Sequence, residues 1–464
     1  MMRKHVAIVL LSLPLSVLGQ GEGGITPAML SRLKAANQHT ATDRALRNAL
    51  AGNAINDLAL KAANPAASEV YFSNEVPSRG ISDQRQSGRC WLFTSLNVLR
   101  AKMIKKYGLG TFHFSQSYCF FYDQLEKSNL FLQAVLDHAS EPMSSQQNTW
   151  LFQHPLSDGG TFCGAQDIIM KYGLVPAEVM PESYSANHTG RMNDILTLKL
   201  REYGLELRAA RAKGTDAKEL AGRKEEMLRT VWHILSICLG TPPDSFTWTM
   251  RDAEGKALGT RTFTPQEFYR EHVGADLKED YVLLMNDPTR PYYKTYSIKY
   301  DRHSYDGRDW TYLNLPMEDI EPIAIASIKD STMLYMSCDV GKQYDARSGV
   351  LSLDNYNYAD LFSTDFPMTK SERIETFASA SSHAMTLMAV DLDEAGKPLK
   401  WKVENSWGAD SGVKGHLIMT APWFREYFFR LVAERKYVPE DIQRLYEQTP
   451  QQLPSWDPLF ACEQ

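Results

Sequence analysis

The spacing of apolar positions changes along this chain, and with it the structure the chain predicts. After Gly88, apolar residues at Leu92, Leu96, Leu99 and Met103 recur every three or four positions with basic residues between. That period predicts an amphipathic helix starting at Cys90 and stopped by Gly108. Residues 115–180 predict further helices joined by an ordered loop over 156–164. Helical patterns over 192–211 and 217–238 flank a Lys213-Gly214-Thr215-Asp216 turn and predict a helical hairpin peripheral to the chemistry. Weaker helical stretches at 27–36 and 43–63 lie in a polar, Ala-rich segment that reads as a surface arm. Beyond Ile320 alternation replaces the helical period, and 321–339, 384–391 and 399–404 predict strands bounded by Gly, Pro and Asp turns. The expected fold is therefore α+β, helical first and β-rich last, with a cleft between two lobes.

At 464 residues, 43% of them hydrophobic, the chain has ample material for a large core. Arg3, Lys4 and His5 precede an apolar run over 6–18, the layout of a secretory signal peptide and too short to anchor the chain by spanning a bilayer. Export to a periplasm or the outside is expected, and no later stretch is apolar enough to span a membrane. Loss of residues 1–19 removes Arg3 and Lys4 and takes the net charge from −6 to −8, which gives no strong case for nucleic acid as a partner. The six cysteines are scattered without a C-x-x-C, so no disulfide framework is expected. No H-E-x-x-H or paired Cys/His spacing occurs, so neither metal nor cofactor is expected.

Three patches carry chemistry. Cys90 stands at a helix start, where the partial positive charge of the helix N-terminus favours a thiolate. Gln84, six residues earlier, is placed to donate its side-chain amide to an oxyanion beside the Cys90 backbone N–H. His383 and Asn405 flank a predicted hairpin whose mirror point is Glu394, inside the turn, so the two should lie close across the sheet. An Asn oxygen there fixes the imidazole tautomer and leaves the other nitrogen for Cys90. Trp407 is placed to cover that bond, exclude water and border the substrate. Gly159 and Gly160, lacking Cβ atoms, either let an extended substrate approach their backbone or form a plain tight turn. A thiol, a base and an orienting amide are the parts of nucleophilic acyl transfer.

Gln84-x5-Cys90-Trp91, His383-Ala384 and Asn405-Ser406-Trp407-Gly408, in this order, resemble the papain superfamily of cysteine peptidases. The closer resemblance is to its bleomycin hydrolase and PepC-type aminopeptidase branch. It is carried by Ser87-Gly88-Arg89-Cys90-Trp91-Leu92-Phe93, Pro181-Glu182-Ser183-Tyr184, Cys338-Asp339-Val340-Gly341-Lys342 and Leu453-Pro454-Ser455-Trp456-Asp457-Pro458, and spans about residues 70–464. The resemblance implies Cys90 as nucleophile, His383 as general base and acid, Asn405 as the orienting residue, Gln84 as oxyanion donor, and Gly159-Gly160 as the loop holding substrate backbone. It also implies peptide substrates, a homohexamer, and a C-terminal arm that favours aminopeptidase over endopeptidase cleavage. The organisation expected is a signal at 1–19, an arm at 20–70, a helical lobe at 71–190, a partly helical insertion at 191–320, a β-rich lobe at 321–440 and a C-terminal arm at 441–464. Two departures stand out: the branch is mostly cytosolic, and the tail here ends Leu459-Phe460-Ala461-Cys462-Glu463-Gln464 rather than in small residues. An endopeptidase, or a non-catalytic binding protein of the same fold, are the other readings.

Overall fold

The computed structural model describes residues 23–37, 40–61, 70–77 and 79–460, so the expected signal segment and the last four residues lie outside the described residues. The chain forms two compact units, Met1–Ala59 and Leu60–Gln464. The first holds helices Pro27–Ala36, Ala41–Leu50 and Ile55–Ala59. Thr26 and Thr40 cap the first two, the latter in a reciprocal capping box with Asp43. The helix expected over 43–63 is broken after Leu50, where Asn53 Nδ2 donates to the Ala49 carbonyl and closes the helix end. Lys61 belongs to the second unit, its backbone N–H donating to the Asn355 carbonyl at 2.9 Å and its ammonium pairing with Asp354.

The second unit is built on one long mixed sheet. In spatial order its central strands are Tyr281–Met285, Phe428–Glu434, Leu334–Cys338, His383–Leu392, Pro398–Glu404 and His416–Thr420. Tyr281–Met285 is buried throughout, and its alternate residues divide between two cores. Tyr281, Leu283 and Met285 join the helical core, whereas Val282 and Leu284 join a core beneath helices Met317–Lys329 and Ala421–Tyr427. A strand buried on both faces shows an unbroken apolar run instead of alternation. This strand, with Lys294–Ile298 and Thr311–Asn314, makes the latter part of the expected 191–320 insertion an integral part of the main sheet. The helical hairpin is present as Gly190–Ala212 and Ala217–Leu239.

Two further expectations are corrected. The segment 321–339 is not all strand: Met317–Lys329 is a helix, and only Leu334–Cys338 is extended. Its Ile-Ala-Ile-Ala-Ser-Ile run mimics alternation, but Glu318 and Asp319 favour a helix N-terminus, and Ile320, Ile323, Ala324 and Ile328 form one buried stripe. The helix Cys90–Tyr107, though bounded as expected by a left-handed Gly108, is not amphipathic in its first half: Trp91 to Arg100 are all buried. Several of its polar side chains find partners inside. Ser95 Oγ donates to the Trp91 carbonyl at 2.7 Å, and Asn97 Nδ2 to Ser82 Oγ at 3.2 Å. Arg100 pairs with Glu404 at 2.5 Å and also donates to His113 Nδ1 at 3.0 Å. Arg100 and Glu404 are 2% and 0% exposed, and breaking such a pair by removing one partner costs about 3–5 kcal/mol. This pair ties the helix that begins at Cys90 to the strand that ends just before Asn405.

Candidate active site

Cys90 is the first residue of its helix, and the turn before it is held from several directions. The Gly88 N–H donates to Asp158 Oδ2 at 2.7 Å, and a Cβ on Gly88 would lie 2.4 Å from Asp158 Oδ1. Glycine is required here by close approach. Arg89, fully buried, forks onto Glu182 with bonds of 3.1 and 2.7 Å and reaches Ser87 Oγ at 3.0 Å. Ser117 Oγ donates to the same Glu182 carboxylate, so the planar guanidinium fixes the direction in which the chain enters the helix. Gln84 is zipped to the opposite lobe: its N–H donates to the Ser406 carbonyl at 2.8 Å, and its Oε1 accepts from Ser406 Oγ at 2.6 Å. Its Nε2 donates one hydrogen to the Ser87 carbonyl at 2.6 Å, leaving the amide's second hydrogen for another acceptor.

His383 opens the strand His383–Leu392 and pairs in register with Cys338. Its Nε2 donates to Asn405 Oδ1 at 2.8 Å. The Ser406 N–H, also 2.8 Å from that oxygen, sets the direction of the Asn405 amide. The tautomer so defined leaves Nδ1 unprotonated, an acceptor for a thiol proton. Burial pushes the His383 imidazole down to about 4, against the Asn405 bond, so the ring is neutral at pH 7. The expected His383–Asn405 contact is therefore present, but by another route than ladder pairing. The hairpin carries irregularities after Leu387 and Asp391, and Thr386 pairs with Glu404 instead of Lys402. Asn405 has left the strand, its N–H donating to the Gly415 carbonyl, and only its side chain reaches the ring. Trp407 stacks on His383 at 4.7 Å and 28°. It lies against the ring that bonds Asn405 and is not among the residues lining the cleft.

Gln84, Cys90, His383, Gly159 and Gly160 line one cleft. Gly159 and Gly160 lie in the stretch before the helix Phe162–Tyr172, which takes up the end of the predicted 156–164 loop. A Cβ on Gly160 would sit 2.2 Å from His303 Cε1 and 3.0 Å from Trp91 Cε2, so packing behind the loop demands glycine as much as access from the front. Asp158, Glu182 and Ser406 were not singled out by sequence. Each lies inside or beside a quoted motif, but its partner is distant in the chain. Among the described residues no cluster of three His, Cys, Asp or Glu side chains is set to hold a metal ion, and no helix is long and apolar enough to cross a membrane.

A family model described as the Peptidase C1-like family matches residues 24–460. Human bleomycin hydrolase is 40% identical over 416 residues, covering 87% of this chain and 91% of that protein. Aminopeptidase C of Lactobacillus delbrueckii subsp. lactis is 38% identical over 395 residues, covering 84% and 88%. The crystal structure of PepW from Lactobacillus rhamnosis superposes with a TM-score of 0.91 at 36% identity, covering 94% of this chain and 99% of that one. With nearly the whole chain matched in sequence and in fold, this protein belongs to the Peptidase C1-like family, as a cysteine peptidase of the bleomycin hydrolase and aminopeptidase C branch of the papain superfamily.

Proposed function

We propose that this chain is an exported cysteine aminopeptidase that removes N-terminal residues from short peptides through a thioester acyl-enzyme. The observation that carries this reading is the convergence of Cys90, His383 and Gln84 on one cleft, with the imidazole fixed at Nε2 by Asn405. In acylation the Cys90 sulfur attacks the carbonyl carbon of the N-terminal residue while its proton passes to His383 Nδ1. The carbonyl oxygen takes the negative charge and is met by the second Gln84 Nε2 hydrogen and the Cys90 backbone N–H. Collapse breaks the C–N bond, and His383 returns the proton to the departing amine. Water, deprotonated by His383, then attacks the thioester, and the thiol leaves with that proton. Gly159 and Gly160 border the cleft where substrate backbone runs.

Two supports favour N-terminal cleavage: relatives matched over most of their length are an aminopeptidase C and a bleomycin hydrolase, and the C-terminal segment packs against a residue that lines the cleft. Gln451–Leu453 pairs with Lys294–Ile298, and Phe460 packs 5.0 Å from the guanidinium of Arg430, itself a cleft-lining residue. Export rests on the charged and apolar pattern of residues 3–18, and assembly as a homohexamer on the resemblance to the branch. The mass and N-terminus of protein recovered outside the cytoplasm test the first, and light scattering tests the second.

The deciding assay compares fluorogenic amino-acid amides bearing a free α-amine with their N-acetylated counterparts, with and without a thiol-directed epoxide and with Cys90→Ala as control. Epoxide-sensitive cleavage of the free amines alone is expected. Cleavage of blocked substrates would establish an endopeptidase, and no cleavage of either would overturn the catalytic reading.

A further inference from the structure

Behind the Gly159–Gly160 stretch lies a buried charged cluster that the reaction itself does not use. Lys127, its side chain 11% exposed, donates to the carbonyls of Ser157 at 3.0 Å and Gly159 at 2.6 Å, and sits 5.3 Å over the Trp91 ring. Its counter-ion is Asp123, fully buried, at 3.0 Å. Asp123 is held in turn by His303 Nδ1 at 2.5 Å and by Gln124 Nε2 at 3.0 Å, and Gln124 also donates to the Ser157 carbonyl. Burial alone would raise the Asp123 carboxyl, but Lys127 and His303 outweigh it and keep the group ionised below its usual range. His303 packs edge-on against Trp91 at 4.7 Å and fills the space that Cβ atoms on Gly160 and Gly164 would occupy. The remaining carbonyl of this stretch, Asp158, accepts from Trp91 Nε1 at 2.9 Å. The carbonyls of three successive residues, Ser157, Asp158 and Gly159, are thus bound from the protein side.

A loop of small and polar residues has no apolar side chains of its own to fix it, and two adjacent glycines maximise its freedom. A strand-like edge that binds substrate backbone works only if that freedom has been removed before the peptide arrives. We propose that Lys127 is a positioning residue for the substrate: its ammonium, anchored on Asp123, locks the backbone from Ser157 to Gly159 so that Gly159 and Gly160 present a preformed edge to the extended peptide. The inference rests on the reading of these glycines as the substrate edge. Lys127 touches no reacting atom; it acts through the loop.

The test compares wild-type enzyme, Lys127→Arg, Lys127→Met, and the double variant Lys127→Met/Asp123→Asn, which avoids leaving a buried carboxylate unpaired. Three quantities are read: kcat and KM on a free-amine amide, the rate of Cys90 inactivation by a peptidyl epoxide, and its alkylation by iodoacetamide, which needs no substrate edge. For the Met variants kcat/KM is expected to fall by roughly 30-fold, mostly through KM, because backbone bonds to the loop form on substrate binding and persist in the transition state. Epoxide inactivation should slow in step, iodoacetamide alkylation should stay within about twofold of wild type, and Lys127→Arg should recover most of the loss. A double variant that keeps its kcat/KM overturns the inference. So does a fall in iodoacetamide reactivity equal to the fall in kcat/KM, which would mark a general structural role. If wild-type enzyme cleaves no amide at all, the proposed function fails instead, and that outcome is separate from the behaviour of Lys127.

Discussion

Replacing Ser406 by alanine tests whether Gln84, the proposed oxyanion donor, is oriented from the opposite lobe. Ser406 Oγ donates to Gln84 Oε1 at 2.6 Å, and both residues are buried. Without that hydroxyl the amide still has one directional partner, because Gln84 Nε2 donates to the Ser87 carbonyl and a flipped amide would set oxygen against oxygen. The orientation therefore weakens without reversing. A neutral buried hydrogen bond contributes about 1 kcal/mol, and since 1.36 kcal/mol corresponds to a tenfold change in rate, kcat should fall roughly fivefold. Removing the donor itself in Gln84→Ala should cost about 100-fold. The assay is kcat and KM on a free-amine amide, with Tm measured alongside, for Ser406→Ala, Gln84→Ala and the double variant. The Ser406 effect should vanish once Gln84 is gone. A fivefold loss that persists in the Gln84→Ala background would refute it, as would a Ser406→Ala loss as deep as that of Gln84→Ala.

Gly160→Ala should lower stability by about 1–3 kcal/mol through overpacking and reduce kcat/KM at least tenfold, because the new Cβ meets a His303 that Asp123 holds in place. Unchanged Tm and activity would show that the loop moves freely away from His303. Stability should also fall in acid. Burial pushes His383 and His113 down to about 4, for His113 with help from the Arg100 charge. A histidine depressed on folding contributes stability fully present above its unfolded value near 6.5 and lost as pH falls toward 4, roughly 3 kcal/mol per group. Urea midpoints from pH 7.5 to 4.5 should show this slope, and His383→Gln should flatten it; an equal slope in the variant would assign the acid sensitivity elsewhere.

Much of the site was legible because its chemistry is concentrated in short, local patterns. A thiol at a helix start, an amide six residues before it, and a histidine and an asparagine flanking one hairpin all follow from spacing, and the helix Cys90–Tyr107 begins and ends where Gly88 and Gly108 place it. The hairpin was readable as well, but not its register, since irregularities after Leu387 and Asp391 depend on what packs against the strand. The helix at Met317–Lys329 read as strand because an alternating Ile-Ala run satisfies both periods until its neighbours choose one.

Local pattern alone determined the proposed reacting groups and the order in which the chain carries them. Tertiary structure alone decided how they are held. Arg100 with Glu404, Gln84 with Ser406 and Lys127 with Asp123 and Gly159 are each a polar group buried beside a partner that the fold brings to it. In sequence such residues look like solvated surface. The physical reason is that a charge or amide can be buried only where its hydrogen bonds are met, and which distant residue meets them is a property of the packed chain.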